Sequence, residues 1–314
     1  MTRALETRRR TRGAASLGTA LLLLLLAGCA TSSPASSTNT GSRAIEVVAA
    51  ENFWGSLAAQ LGGSHVHVTS IINSPDADPH DYEPTASDGR QIAIADVAVV
   101  NGIGYDTWAS RLLAANPRPA RTDLTIGQVV GVPTNGNPHR WYDPANVRTV
   151  IDTLTADFKK HDPADSAYFD TQRTQVLTVN LKTYFDTIAR IKAKYAGTPV
   201  GASESIFAPL AAGLGLKLIT PESFLDAISE GTDPTARDKV QIDAQIKSHQ
   251  IKLYVYSTQN ATPDVQTQVD AARKAGIPVA TVTETLTPAG ASFQDWQTGQ
   301  LTRLEAALAQ ATGT

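Results

Sequence analysis

Between Asp162-Pro163 and Gly197 the chain carries one long amphipathic repeat, and the segments on either side have to be arranged around it. Leu177, Leu181, Tyr184, Ile188, Ile191 and Tyr195 alternate steps of four and three, the spacing that lines one face of an α-helix. Asp162-Pro163 supplies a capping carboxylate and a first-turn proline, while Gly197 and Pro199 stop the run. Roughly 30 residues at 1.5 Å each make a rod of about 45 Å, longer than one domain needs for itself. Short apolar runs rich in β-branched residues alternate with helical stretches before and after it. The expected strands are Ile45–Ala50, Val66–Ile72, Val97–Asn101, Val200–Ala202, Lys217–Thr220, Leu253–Tyr256 and Val279–Thr283. Asp143-Pro144, Asp233-Pro234 and Thr262-Pro263 open helices. This order predicts an α/β fold: two α/β lobes with central parallel-rich sheets, residues 44–163 and 198–314, joined by a linking helix over 164–197.

The N-terminus sets the compartment. Arg3, Arg8, Arg9, Arg10 and Arg12 precede an apolar run, Leu21 to Leu26, and then Ala27-Gly28-Cys29. A basic region, an apolar core and small residues at a cleavage point make a secretory signal over residues 1–28. The run is far shorter than the roughly 20 residues that span a bilayer. Thr7-Arg8-Arg9 lacks the residues that usually follow in a twin-arginine signal. Leu26-Ala27-Gly28-Cys29 resembles a bacterial lipobox, in which the thiol is lipidated and becomes the new N-terminus. Cys29 is the only cysteine, so no internal disulfide is available to the fold. Residues 29–43 are small and polar, a flexible tether with a reach on the order of 20 Å. Without residues 1–28, the 27 basic and 30 acidic residues become 22 and 29, a net charge of −7, which disfavours a nucleic-acid partner.

Two of the six histidines stand out by context. His80 lies in Asp78-Pro79-His80-Asp81-Tyr82-Glu83-Pro84-Thr85, and His139 in Asn137-Pro138-His139-Arg140-Trp141-Tyr142-Asp143-Pro144. Composition alone reads both as surface histidines in turns. Two carboxylates shift that balance: Glu204 follows one expected strand and Glu284 ends another, where ligands gather in open α/β sheets. Two neutral imidazoles and two carboxylates carry a charge of about −2, matched to a divalent cation. Glu222, after Pro221, is the rival to Glu204. His65 and His67, two apart, are expected on one solvated strand face, and His161 suits the negative end of a helix.

At these motifs the chain resembles the zinc- and manganese-binding proteins of bacterial metal ABC importers. Glu51-Asn52-Phe53-Trp54-Gly55 is similar to their opening motif, and the two histidine loops to their first two ligand loops. The likeness covers most of residues 45–308. It implies metal ligands His80, His139, Glu204 and Glu284; with two ligands from each lobe the site lies in the cleft between them, and Trp54, Trp141 and Tyr142 either wall it or serve plain packing. It also implies an extracytoplasmic, monomeric, non-enzymatic lipoprotein, anchored to the membrane through Cys29, that delivers zinc or manganese to an importer permease. Many zinc-binding members have a third histidine where Glu204 stands, many members have aspartate at the Glu284 position, and the His-rich loop of some scavengers is missing here.

Other readings compete. A metal-dependent hydrolase, or an adhesion lipoprotein stabilised by metal, could use the same scaffold. Gly201-Ala202-Ser203-Glu204-Ser205 approaches a nucleophile elbow but ends in Ser, and no histidine follows His249 to act as base. Asp76, Asp78, Asp81 and Glu83 lack the spacing and central glycine of an EF-hand. Gly102-Ile103-Gly104 lacks the third glycine of a dinucleotide fingerprint. The anchor assignment makes a direct prediction: Cys29→Ser moves the protein from the membrane fraction to the soluble fraction on cell fractionation. A substituted protein that stays membrane-bound would remove Cys29 from that role.

Overall fold

The computed structural model describes residues 43–313 apart from 76, 78, 80 and 81. Cys29, the signal segment and His80 therefore lie outside the described residues. Eight strands are present there: β1 (Ile45–Glu51), β2 (Val66–Ile72), β3 (Val97–Val100), β4 (Thr122–Thr125), β5 (Pro199–Ala202), β6 (Lys217–Leu218), β7 (Leu253–Ser257) and β8 (Val279–Val282). They form two four-stranded sheets of the same order, β2-β1-β3-β4 and β6-β5-β7-β8, with every pairing parallel. Parallel strands need helical crossovers that bury both faces, which is why β3 and residues 47–50 of β1 are apolar throughout. Strand β4, Thr-Asp-Leu-Thr, was not expected. It is a half-exposed edge strand with no apolar run to announce it.

The expected joining helix is divided. A 3-10 turn, Pro163–Asp165, leads into a helix over Ser166–Gln175, a π turn over Val176–Asn180, and a second helix over Lys182–Tyr195. The Leu181 N–H reaches the Val176 carbonyl at 2.9 Å, an i→i−5 bond that admits one extra residue and turns the apolar stripe. Asn180, at the π turn, donates to Gln60 Oε1 at 2.9 Å, and Gln60 donates to Gln294 Oε1 at 3.0 Å. That amide relay ties the joining segment to the first and last helices, Asn52–Gly62 and Phe293–Thr312. One further helix start differs from expectation: Thr235, not Asp233, caps the helix Ala236–Lys247, accepting from the Asp238 N–H at 3.2 Å.

The principal core runs through both sheets without a break. Val47, Phe53, Val99, Leu154, Leu181, Tyr184, Val200, Leu253, Trp296 and Leu304 belong to one buried cluster. Gly55 keeps the first helix close to its sheet, since a Cβ there would sit 2.1 Å from Ser70 Oγ. No helix among the described residues is long and apolar enough to cross a membrane.

The turn after β3 shapes the edge where the two sheets meet. Asp106, fully buried, accepts from the Asn101 and Gly102 amides at 2.6 and 2.7 Å. These bonds hold Ile103 at φ 58°, a left-handed conformation costly for a β-branched residue. The Glu51 carboxyl, also fully buried, lies against that of Asp106. Burial first, and the Asp106 charge second, push Glu51 well above the ordinary carboxylate range. The two amides favour the ionised form of Asp106, so Glu51 is the partner that keeps the proton. A carboxyl with a raised native pKa costs stability as pH climbs from its unfolded value, about 4.3, through its folded value. Glu51→Gln removes that cost. The advantage of the variant over wild type in urea unfolding of metal-free protein should grow with pH across this window, by about 1.4 kcal/mol per pH unit, and then level off. Parallel stability curves would mean that Glu51 is ionised in the folded protein.

Candidate metal centre

Both sheets present the C-terminal ends of their strands to a common crevice, and the polar side chains gather there. Strand β1 ends in Glu51, β3 leads into Asn101–Asp106, β5 into Glu204, β7 into Gln259 and Asn260, and β8 into Glu284. In each sheet the two central strands are the point where strand order reverses, the position at which α/β sheets bind ligands.

His139 is fully buried and lies just before a 3-10 turn, Arg140–Tyr142, that feeds the helix Pro144–His161. Its Nδ1 is 3.0 Å from Asn137 Oδ1, which also accepts the His139 backbone N–H at 3.0 Å. An amide oxygen can only accept, so Nδ1 is the donor of this pair. That Nε2 faces Glu284 Oε1 at 3.3 Å. The other oxygen of Glu284 accepts from the Tyr105 hydroxyl at 2.9 Å. The Glu284 amide donates to Gln259 Oε1 at 2.5 Å, fixing the main chain from which the carboxylate projects.

Glu204 is 1% exposed, with Asn260 donating to its Oε2 at 2.7 Å. Its neighbour Ser205 places Oγ 3.5 Å from His139 Nδ1, and Asn137 donates to the Ser205 carbonyl at 2.7 Å. The structure thus brings His139, Glu204 and Glu284 to one crevice. Glu222 sits elsewhere, exposed on the helix Glu222–Ser229. The chain just before residue 80 is held at two points: Trp108 Nε1 donates to the Pro79 carbonyl at 3.2 Å, and Gln259 Nε2 to that of Pro75. Gln259 therefore clasps that loop and the Glu284 backbone with one side chain.

Trp54, Trp141 and Tyr142 are completely buried. Trp141 stacks on Phe53 at 4.0 Å and meets the His139 ring edge-on at 5.4 Å. Trp54 donates to Asn101 Oδ1 at 3.1 Å, and Asn101 donates to the Pro138 carbonyl at 2.9 Å. The Tyr142 hydroxyl donates to the Thr283 carbonyl at 2.8 Å, across the crevice, and burial holds it protonated. These rings line the crevice and also carry hydrogen bonds that set the loops around it. A cavity of about 360 Å³ opens beside Asn137 and Ser205, lined by Glu222, Asp226 and Glu230. Burial, followed by repulsion from Glu222 and Glu230, raises the Asp226 carboxyl above its usual range.

Tyr105, Asn137, Gln259 and Asn260 were not singled out from sequence. Only Asn137 carried a signal, two residues before a histidine with a stiff proline between them.

Comparisons with known proteins bear on the family and the fold. The chain is 27% identical over 146 residues to the manganese-binding lipoprotein MntA of Halalkalibacterium halodurans, covering 46% of this chain and 48% of that one. It is 24% identical over 264 residues to the zinc-binding lipoprotein AdcA of Streptococcus pneumoniae, covering 74% and 50%. It is also 22% identical to the zinc uptake protein ZnuA of Bacillus subtilis, covering 76% and 78%. The alignments span about half the length of several of these relatives. Among solved structures, the manganese-bound periplasmic metal-binding protein of Candidatus Liberibacter asiaticus superposes with a TM-score of 0.70 at 17% identity, over 83% of this chain and 98% of that one. This likeness shows that the fold is shared. The profile of the zinc-uptake complex component A family, described as periplasmic, matches residues 47–307, and the chain belongs to that family.

Proposed function

We propose that this chain captures one divalent transition metal, zinc or manganese, with His80, His139, Glu204 and Glu284, and passes it to the membrane permease of an ABC importer. The observation that carries the reading is the orientation of His139. A buried imidazole whose Nδ1 is held by Asn137 turns its Nε2 toward a buried carboxylate 3.3 Å away, an arrangement that a cation between the two would satisfy. A histidine ligand with its other nitrogen fixed by an outer hydrogen bond is the usual construction of a protein metal site. Four protein ligands close the site, whereas a catalytic metal keeps a position for water or substrate, so the protein acts as a binder rather than an enzyme. The relatives named for zinc and for manganese support either metal as cargo. The acids Glu222, Asp226 and Glu230 around the adjoining cavity would draw cations toward the crevice. Residues 44–163 and 198–314 supply the two halves of the site, with 164–197 holding them together. Cys29 anchors the monomeric protein to the outer face of the cell membrane.

Loss of one ligand from such a site weakens binding at least tenfold, about 1.4 kcal/mol, for each of His80→Ala, His139→Ala, Glu204→Ala and Glu284→Ala. Isothermal titration with zinc and manganese measures this, and Glu222→Ala serves as the control. Wild-type affinity in Glu204→Ala together with loss in Glu222→Ala would move the role to the rival. Ligation needs unprotonated imidazoles and ionised carboxylates, so affinity falls as the pH drops from neutral toward 5. Titrations in buffers of different ionisation enthalpy report the protons released per metal. An unchanged affinity with no proton release near pH 6 would overturn the histidine ligands.

A further inference from the structure

His65 does not share a strand face with His67. It ends a 3-10 turn, Gly63–His65, just before β2, and packs against the helix Ser166–Gln175. Its ring lies 4.2 Å from that of Tyr168 and meets Phe169 edge-on at 5.7 Å. The Tyr168 hydroxyl also accepts the Ser64 amide at 3.3 Å, so the ring and its backbone are both held. Its Nδ1 is 3.2 Å from Asp165 Oδ2 and 3.6 Å from Asp162 Oδ2. Asp162 is 5% exposed, and its amide donates to the Phe158 carbonyl at 2.8 Å. Asp165 is partly open to solvent. His67, by contrast, is exposed and pairs with Glu46.

One imidazole nitrogen thus faces carboxylate oxygens from two separate residues at similar distances. Tetrahedral coordination with bonds of about 2.0–2.1 Å places neighbouring ligand atoms about 3.3 Å apart, and the two separations from Nδ1 bracket that value. Donor atoms from all three residues lie within 4.8 Å of one another. One imidazole and two carboxylates leave a position open for water and suit a divalent transition metal.

The geometry points to a second divalent-metal site, formed by His65, Asp162 and Asp165, at the opposite end of the first sheet from the crevice. Strand β2 starts beside this cluster and its far end leads toward the His80 loop, so seven residues at about 3.3 Å each put the two sites roughly 20 Å apart. Metal bound there cross-links the turn before β2 to the end of the helix Pro144–His161 and the start of the next. With its open position and partly exposed ligand, it exchanges metal faster than the enclosed crevice does.

Zinc stoichiometry of the full chain separates this site from the first. Dialysis to equilibrium against excess zinc, followed by elemental analysis, should give two ions for wild type, one for His139→Ala, one for His65→Ala and none for the double variant. Asp165→Asn, on the most exposed ligand, should weaken the second ion at least tenfold without changing the thermal melt of metal-free protein. His67→Ala should change neither ion. A wild type that saturates at one ion which His65→Ala retains would leave an imidazolium bridging two carboxylates and overturn the second site. Two ions in wild type with loss on His67→Ala would place it elsewhere. The crevice reading fails separately, if His139→Ala retains both ions.

Discussion

Negative charge buried where two parallel sheets converge is the constraint that the rest of the molecule answers. Glu51, Asp106, Glu204 and Glu284 are all less than a tenth exposed. An ionised carboxylate removed from water is costly unless it is protonated, hydrogen-bonded or paired with a cation. Each of these groups is handled differently. Glu51 keeps its proton, Asp106 takes two backbone amides, Glu204 takes the Asn260 amide, and Glu284 takes a tyrosine hydroxyl beside an imidazole. In the proposed function a divalent cation completes the compensation for the last two.

That solution explains features which are otherwise unrelated. Ile103 is held in a left-handed conformation because the turn that aims Asn101 and Tyr105 at the crevice must also deliver two amides to Asp106. Trp54 and Tyr142 are buried with their polar atoms paired across loop boundaries, where apolar rings would fill the same space without orienting anything. Asn137 and Gln259 each bond to both halves of the crevice. The positions of the ligand-bearing loops are therefore coupled through side-chain amides, whose donor and acceptor ends are fixed by their partners.

Much of this was legible in the sequence where periodicity or turn chemistry forced it. Seven strands, the Asp143 and Thr262 caps and the final helix follow from apolar spacing and from proline at first-turn positions. The sheet edge β4 escaped because a half-exposed, four-residue strand has no apolar run. The π turn escaped because Leu177 and Leu181 show a four-residue step in the sequence, whereas the fully buried residues across the insertion are Val176 and Leu181, five apart. At the crevice, histidines and carboxylates beside prolines and strand ends drew notice. The amides that orient them did not, since an asparagine or glutamine in a loop looks the same whether it faces water or a buried imidazole. His65 was misplaced for a similar reason: its spacing from His67 suggested strand alternation, while Gly63 at φ 51° bends the chain out of that register.

The single core that runs through both sheets also governs when the chain can become a folded object. Phe293, Trp296, Leu301, Leu304 and Leu308 of the last helix pack into the same cluster as Val47 and Phe53 near the start. Without the helix Phe293–Thr312 the cluster has an open seam along the joining helix, with Tyr184 deprived of its neighbour Phe293 at 5.9 Å. The principal core is therefore complete only when the last helix has packed against the first strand and helix. Once packed, elements from both sheets share one continuous cluster, so loss of an apolar contact in the last helix is felt beside the first strand.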